Sequence, residues 1–207
     1  MRPIPRFHLI TDTRPGREPL AVVAAVLEAA GRHVAVQVRV EDDATDRDAY
    51  ELAARVSALC ADAGATCLVN DRLHIALAVG ADGGHVGALD LPVEAARRVL
   101  GPHAILGATA REPATAKAAV DAGASYLGVG PAFATTTKAG LPPPIGVEGV
   151  AAVAGAVGVP VIAIAGVTAE RIPELRAAGA HGVAVIGALS RAPDPAAVAA
   201  SLWDALQ

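Results

Sequence analysis

The segment VDAGASYLGVG (Val120–Gly130) sets a small-residue run, a glycine at 123 and a short apolar run in immediate succession. Glycine suits the left-handed residue just past a helix end. An apolar run of four to six residues suits a strand covered on both faces. The segment therefore predicts a helix stopping at Gly123 and a buried strand starting soon after it. The same junction recurs in EAAGRHVAVQVRV at Gly31, ADAGATCLV at Gly64, LAVGADGGHVG at Gly80 and VLGPHAILG at Gly101. It appears again in AVGVPVIAIAG at Gly158 and RAAGAHGVAVIG at Gly179. FHLIT (Phe7–Thr11) and a helix within about residues 18–30 precede the first junction, and PDPAAVAASLWDAL follows the last strand, with proline at the helix start.

Outward from that junction, the chain reads as eight strands and eight helices in strict alternation, or about 26 of its 207 residues per unit. Such alternation implies right-handed βαβ units and a parallel sheet. Eight even units are what a (βα)8 TIM barrel requires, so the expected fold is α/β, one barrel domain over residues 1–207. A doubly wound open sheet is the alternative, but it more often uses five or six strands.

Composition narrows the function. Hydrophobic residues are 53% and aromatics only 2%, which supplies a core but no aromatic platforms for stacking bases. Seventeen basic against 21 acidic residues leave a net charge of −4, with no electrostatic footprint for nucleic acid or an anionic membrane. The charge-free stretch Gly149–Ala169 is long enough to span a bilayer, yet its glycines and Pro160 split it into helix, turn and strand. MRPIPRFHLITD holds no apolar run of signal-peptide length, and two cysteines, Cys60 and Cys67, form no disulfide framework. A cytoplasmic protein is expected. A mean hydropathy of +0.44 points to a buried subunit face, hence a homodimer.

In such a barrel the chemistry lies at the C-terminal ends of the strands, and polar residues collect there. Strand 1 ends in Thr11-Asp12, and strand 2 carries Gln37 and Arg39 on one face. Strand 3 ends in Asn70-Asp71, strand 4 runs through His85 to Asp90, and strand 5 leads to Thr109 and Arg111. Gln37 and Arg39 read as binders of an anion or a heterocycle; a purely structural Arg–carboxylate pair is the bland alternative. Two carboxylates on neighbouring strands, Asp71 and Asp90, suit Mg²⁺, which takes one or two carboxylates plus substrate phosphates. Each could instead cap the helix that follows it. Gly166 and Gly187 follow the last two strands, the usual phosphate position. The long loop ATTTKAGLPPPI (134–145) adds three hydroxyls and Lys138. His8, His33, His103 and His181 fall at strand starts and read as structural, while His85 sits near the mouth.

The ordered motifs LITD, QVRVE, VNDRLHIALAVGADGGHVGALDLP, GPAFATTTK and AIAGV resemble the thiamine phosphate synthase / thiazole tautomerase family over nearly the whole chain. The resemblance implies a Mg²⁺-dependent transferase that joins hydroxymethylpyrimidine diphosphate to thiazole phosphate and releases diphosphate. It implies metal ligation by Asp71 and Asp90. Pyrimidine and diphosphate contacts fall on Gln37, Arg39, Asn70 and Lys138, with Thr109 where the synthases usually have Ser. Thiazole-phosphate contacts fall on Thr135, Thr137, Gly166 and the backbone around Ile186-Gly187. Arg39 and Lys138, with Arg111, would stabilise the departing diphosphate.

Three positions depart from the family pattern. Glu41 stands where a diphosphate-binding lysine is usual, Ala88 where glutamine is usual, and Thr109-Ala110-Arg111 where S-T-H is usual. The last removes the histidine that transfers protons in the tautomerase branch. A thiazole tautomerase-like isomerase, whose branch the loop TKAGLPPPIG resembles about as well, and a member that binds a phosphorylated metabolite without catalysis, suggested by Glu41 and Arg111, are the alternatives to the synthase.

Overall fold

The computed structural model describes residues 2–137 and 140–207. Eight parallel strands close into a barrel in chain order: β1 (Phe7–Ile10), β2 (Val34–Val38), β3 (Thr66–Asn70), β4 (Gly83–Val86), β5 (Ile105–Ala110), β6 (Tyr126–Val129), β7 (Val161–Ile164) and β8 (Gly182–Val185). β8 returns to β1 through the register Phe7↔Val183, His8↔Ala184 and Leu9↔Val185, which leaves no open edge. The alternative open sheet is thereby excluded.

Alternation along the strands divides the core in two. Ile10, Ala35, Leu68, Ile105, Tyr126, Ile162 and Ala184 fill the barrel interior. The alternate residues, such as Leu9, Val36, Val69 and Val183, pack outward against the helices. Those helices are α1 (Pro19–Ala30), α2 (Asp46–Ala63), α3 (Leu73–Ala78), α4 (Val93–Leu100), α5 (Pro113–Asp121), α6 (Gly146–Ala154), α7 (Ile172–Ala177), α8 (Gly187–Ser190) and α9 (Pro195–Leu206). Local chemistry sets several of their starts. At α2, Thr45 accepts the Asp48 N–H while the Asp48 carboxylate accepts the Thr45 N–H, a reciprocal cap contributing about 1 kcal/mol. At α9, Asp194 accepts from Ala197 N–H ahead of Pro195.

Two details differ from the sequence expectation. Six of the seven junction glycines adopt positive φ, Gly64 at 67° among them, but Gly158 does not. There α6 has already ended at Ala154, and the chain reaches β7 through a connection of turn and bend residues. The second is α8, a four-residue helix directly after β8; it makes nine helices among the described residues where eight were expected. The Gly149–Ala169 stretch divides into part of α6, a turn and β7, and no described helix is long and apolar enough to cross a membrane.

At the base of the barrel, His181 Nε2 lies 2.9 Å from the Ile4 carbonyl and His8 Nε2 3.0 Å from that of Pro5, pinning the N-terminal segment there. His33 stacks on Trp203 with ring centroids 4.9 Å apart. These histidines are structural, as expected.

Candidate active site

The mouth is built on the inward-facing residues above that core. Gln37 continues the inward series of β2 after Ala35, and it is 4% exposed. Its carboxamide has no hydrogen-bond partner among the described residues. Among the described residues only Arg17 Nε is both cut off from solvent and unpaired, so the Gln37 amide keeps contact with water at the mouth and is available to a ligand.

Two residues on, the backbone of Arg39 is clamped. Its N–H donates to Thr11 Oγ1 (2.8 Å), and that hydroxyl donates to the Arg39 carbonyl (2.7 Å). The Arg39 guanidinium donates to Glu41 Oε1 at 3.1 Å. The acid that replaces the usual lysine therefore faces the site and partly neutralises its arginine.

Asp71 follows β3 with φ of 60°, a left-handed conformation that Asp tolerates better than most residues. Its N–H donates to the His85 carbonyl (2.8 Å), and its Oδ2 accepts from the Asn70 carboxamide (2.5 Å). Asp90 lies in the loop after β4, where its Oδ2 accepts the Gly87 N–H at 2.8 Å. Neither carboxylate caps a helix: Arg72 and Pro92 occupy the N-cap positions of α3 and α4, with no side-chain cap. The capping alternative is therefore removed for both aspartates.

Between them, His85 is buried, with Nδ1 3.0 Å from Tyr126 Oη and Nε2 3.0 Å from Thr109 Oγ1. Burial pushes its pKa down to about 4, against an opposing pull from Asp90, so the ring is neutral. The glycines at 107 and 128 make room for it, since a Cβ at either position would press on the His85 ring. His85 thus fixes the Thr109 hydroxyl at the rim. Arg111 is exposed and donates to the Pro143 carbonyl at 2.7 Å, which ties the β5 end to the long β6 loop.

The opposite side of the mouth is made where three loops meet. Thr137 N–H donates to Thr135 Oγ1 (3.2 Å), folding the β6 loop on itself. A Cβ on Gly187 would sit 2.5 Å from Thr137 Oγ1, and one on Gly166 would sit 2.6 Å from the Ala134 carbonyl. Those two positions admit no side chain because the β6 loop lies against them. Arg171 donates to the Gly166 carbonyl (2.6 Å) and stacks 4.2 Å above the Phe133 ring, bracing the same contact. Thr135, Thr137, Gly166, Ile186 and Gly187 are thus brought into one cluster. Lys138 lies outside the described residues.

One group of residues in this cluster escaped the sequence reading. Asp12, at the end of β1, receives Arg14 Nε (2.7 Å), Arg14 Nη2 (2.6 Å) and Ser190 Oγ (2.6 Å). The Arg14 guanidinium holds its carboxyl well below the usual carboxylate range. Arg14 also donates through Nη1 to the Thr137 carbonyl at 2.8 Å. Asp12 was recognisable as a polar strand end; its partners meet it only where the barrel closes.

Fold and mouth together define the class: a (βα)8 barrel with a cluster of threonine hydroxyls and glycine backbone after β6, β7 and β8 and two carboxylates after β3 and β4. The family model for thiamine monophosphate synthase matches residues 7–189, and the chain belongs to that family. It is 68% identical over 206 residues to a thiamine-phosphate synthase of Salinispora arenicola, covering 100% of this chain and 99% of that one. It is 46% identical to that of Moorella thermoacetica, over 90% and 88% of the two chains. A thiamine phosphate pyrophosphorylase of Pyrococcus furiosus superposes with a TM-score of 0.87 at 33% identity, covering 97% and 95%. Membership makes the chain a transferase of thiamine biosynthesis, in agreement with its motifs.

Proposed function

We propose that the barrel mouth joins hydroxymethylpyrimidine diphosphate to thiazole phosphate, with release of diphosphate. The observation that carries the reading is the separation of the mouth into two halves of different chemistry. One half holds Arg39, Asn70, Thr109 and the Gln37 carboxamide, which has no hydrogen-bond partner among the described residues, beside two carboxylates. The other holds threonine hydroxyls and glycine backbone, suited to a single phosphate.

The aspartates fit Mg²⁺. No group of three or more His, Cys, Asp or Glu is gathered among the described residues, so a protein-only cage is not built, whereas Mg²⁺ is commonly held by one or two carboxylates and substrate phosphate oxygens. When bound, the ion would neutralise charge on the diphosphate oxygens. The chain's own contributions follow from its residues. Gln37 and Asn70 bind and orient the pyrimidine. Arg39 stabilises the charge that grows on the diphosphate as its bond to the pyrimidine methylene breaks, and the family resemblance gives Lys138 the same role. The thiazole nitrogen, held in line by its phosphate at Thr135, Thr137, Gly166, Ile186 and Gly187, attacks the methylene carbon. Holding two substrates in register supplies up to ~7–11 kcal/mol. No covalent nucleophile is required.

Arg111 speaks against the isomerase alternative. An arginine occupies the position of the proton-transferring histidine, and it is engaged by the Pro143 carbonyl. The Arg39–Glu41 pair favours the other alternative, a binder without turnover, because it weakens the diphosphate half. A homodimer and a cytoplasmic location complete the reading. The first is supported by the mean hydropathy, the second by buried, free Cys60 and Cys67, the Cys60 thiol being pushed up by the neighbouring Cys67 and by burial. The experiment is turnover of the two named substrates with saturating Mg²⁺. Diphosphate release that Asp71→Ala abolishes supports the synthase; tight binding without release selects the binder.

A further inference from the structure

The four-residue helix α8 begins at Gly187 and ends at Ser190, and the next residue is Arg191. The side chain of Arg191 turns back along the helix. A Cβ on Gly187 would lie 2.7 Å from Arg191 Nη2 and 2.9 Å from its Cζ, as well as 2.5 Å from Thr137 Oγ1. The guanidinium therefore lies over the bare face of Gly187, the same face that the Thr137 hydroxyl approaches, in the monophosphate half of the mouth. Any larger residue at 187 would displace it.

Neighbouring arginines are spoken for. Arg14 is committed to Asp12 and the Thr137 carbonyl, Arg17 lies 3.7 Å from Asp12, and Arg171 is committed to the Gly166 carbonyl and Phe133. Asp12, the acid of this corner, already accepts from Arg14 and Ser190. Arg191 is exposed; its backbone N–H donates to the Gly187 carbonyl (3.3 Å), while its guanidinium has neither hydrogen bond nor ion pair among the described residues. A planar, permanently charged fork of donors suits phosphate, and it binds such a group more strongly than neutral donors do.

We propose that Arg191 is a direct ligand of the phosphate on the thiazole substrate, and that the absence of a side chain at Gly187 is what admits it. This rests on the assignment of that half of the mouth to thiazole phosphate. Arg191 then makes the site select the phosphorylated thiazole over the corresponding alcohol, because the alcohol leaves the guanidinium without its anion.

Calorimetric titration of the full chain with thiazole phosphate tests this apart from turnover. Arg191→Ala should weaken binding by roughly tenfold or more, the loss expected for a hydrogen bond to a charged group. Arg191→Lys should recover part of it. Gly187→Ala should weaken it in the same direction with no change of charge. The preference for thiazole phosphate over its alcohol should shrink in Arg191→Ala, while the KM for the pyrimidine diphosphate stays at its wild-type value. Unchanged affinity in folded Arg191→Ala, or no binding of thiazole phosphate by the wild type, overturns the proposal. Wild-type binding that depends on Arg191 without any turnover would sustain Arg191 and remove the synthase reading instead.

Discussion

At Glu41 the chain carries an acid in reach of the arginine that the diphosphate needs. The Arg39–Glu41 contact of 3.1 Å joins side chains 19% and 35% exposed, so water screens it only in part. An incoming diphosphate must displace that carboxylate or meet its charge. Replacing it, Glu41→Lys, removes the repulsion and adds a cation. The KM for pyrimidine diphosphate should fall several-fold with kcat little changed, as steady-state kinetics would read. An unaltered KM would mean that Glu41 swings away from the bound substrate. Such residue-level facts were partly legible in advance. The amide of Gln37 and both aspartates stand out because polar groups at the ends of apolar strands require a reason. The destination of the Glu41 carboxylate, and the reach of Arg191 across Gly187, depend on rotamers that no spacing rule encodes.

The loops after the strands decide whether the two halves of the mouth hold their shape. Arg14 joins the end of β1 to the β6 loop through Asp12 on one side and the Thr137 carbonyl on the other. Removing the guanidinium, Arg14→Ala, should release Thr137 and raise the KM for thiazole phosphate, by about tenfold if a charge-assisted hydrogen bond is lost. The KM for pyrimidine diphosphate should be much less affected. Equal rises in both would show that Arg14 supports the whole mouth. At this scale the sequence was informative about strands and less so about their connections. The repeated glycine junctions specify eight strands because a helix stop followed by a doubly buried apolar run has few other solutions. α8 was not foreseen, since GALS is too short to carry a helical period. The Asp12–Arg14–Ser190 corner was hidden for a topological reason: residues 12 and 190 become neighbours only when β8 pairs with β1.

Across the whole barrel, closure places ionisable groups where water cannot reach them. Burial pushes the pKa of His8 down to about 3 and that of His85 to about 4, so both are neutral when folded and near 6.5 when unfolded. Between those values the unfolded chain binds more protons than the native one. Stability therefore rises with pH from about 3 to about 6.5, and is lost as pH falls through that window. Asp12, lowered by its hydrogen bonds with Arg14, adds a further loss only below the ordinary carboxylate range. Urea denaturation at pH 5 and pH 7 should give a clearly lower midpoint at pH 5; equal midpoints would mean that the interior histidines protonate without unfolding the barrel.

The central claim is that one mouth accommodates two phosphorylated heterocycles and connects them. Phosphorus NMR of a reaction mixture, before and after adding Mg²⁺, follows all the phosphorus atoms at once. The account predicts that on adding the metal the pyrimidine diphosphate signals give way to free diphosphate, while the thiazole monophosphate resonance moves in equal measure to that of the coupled product. Spectra that stay unchanged, or diphosphate released with the thiazole resonance left in place, would contradict it.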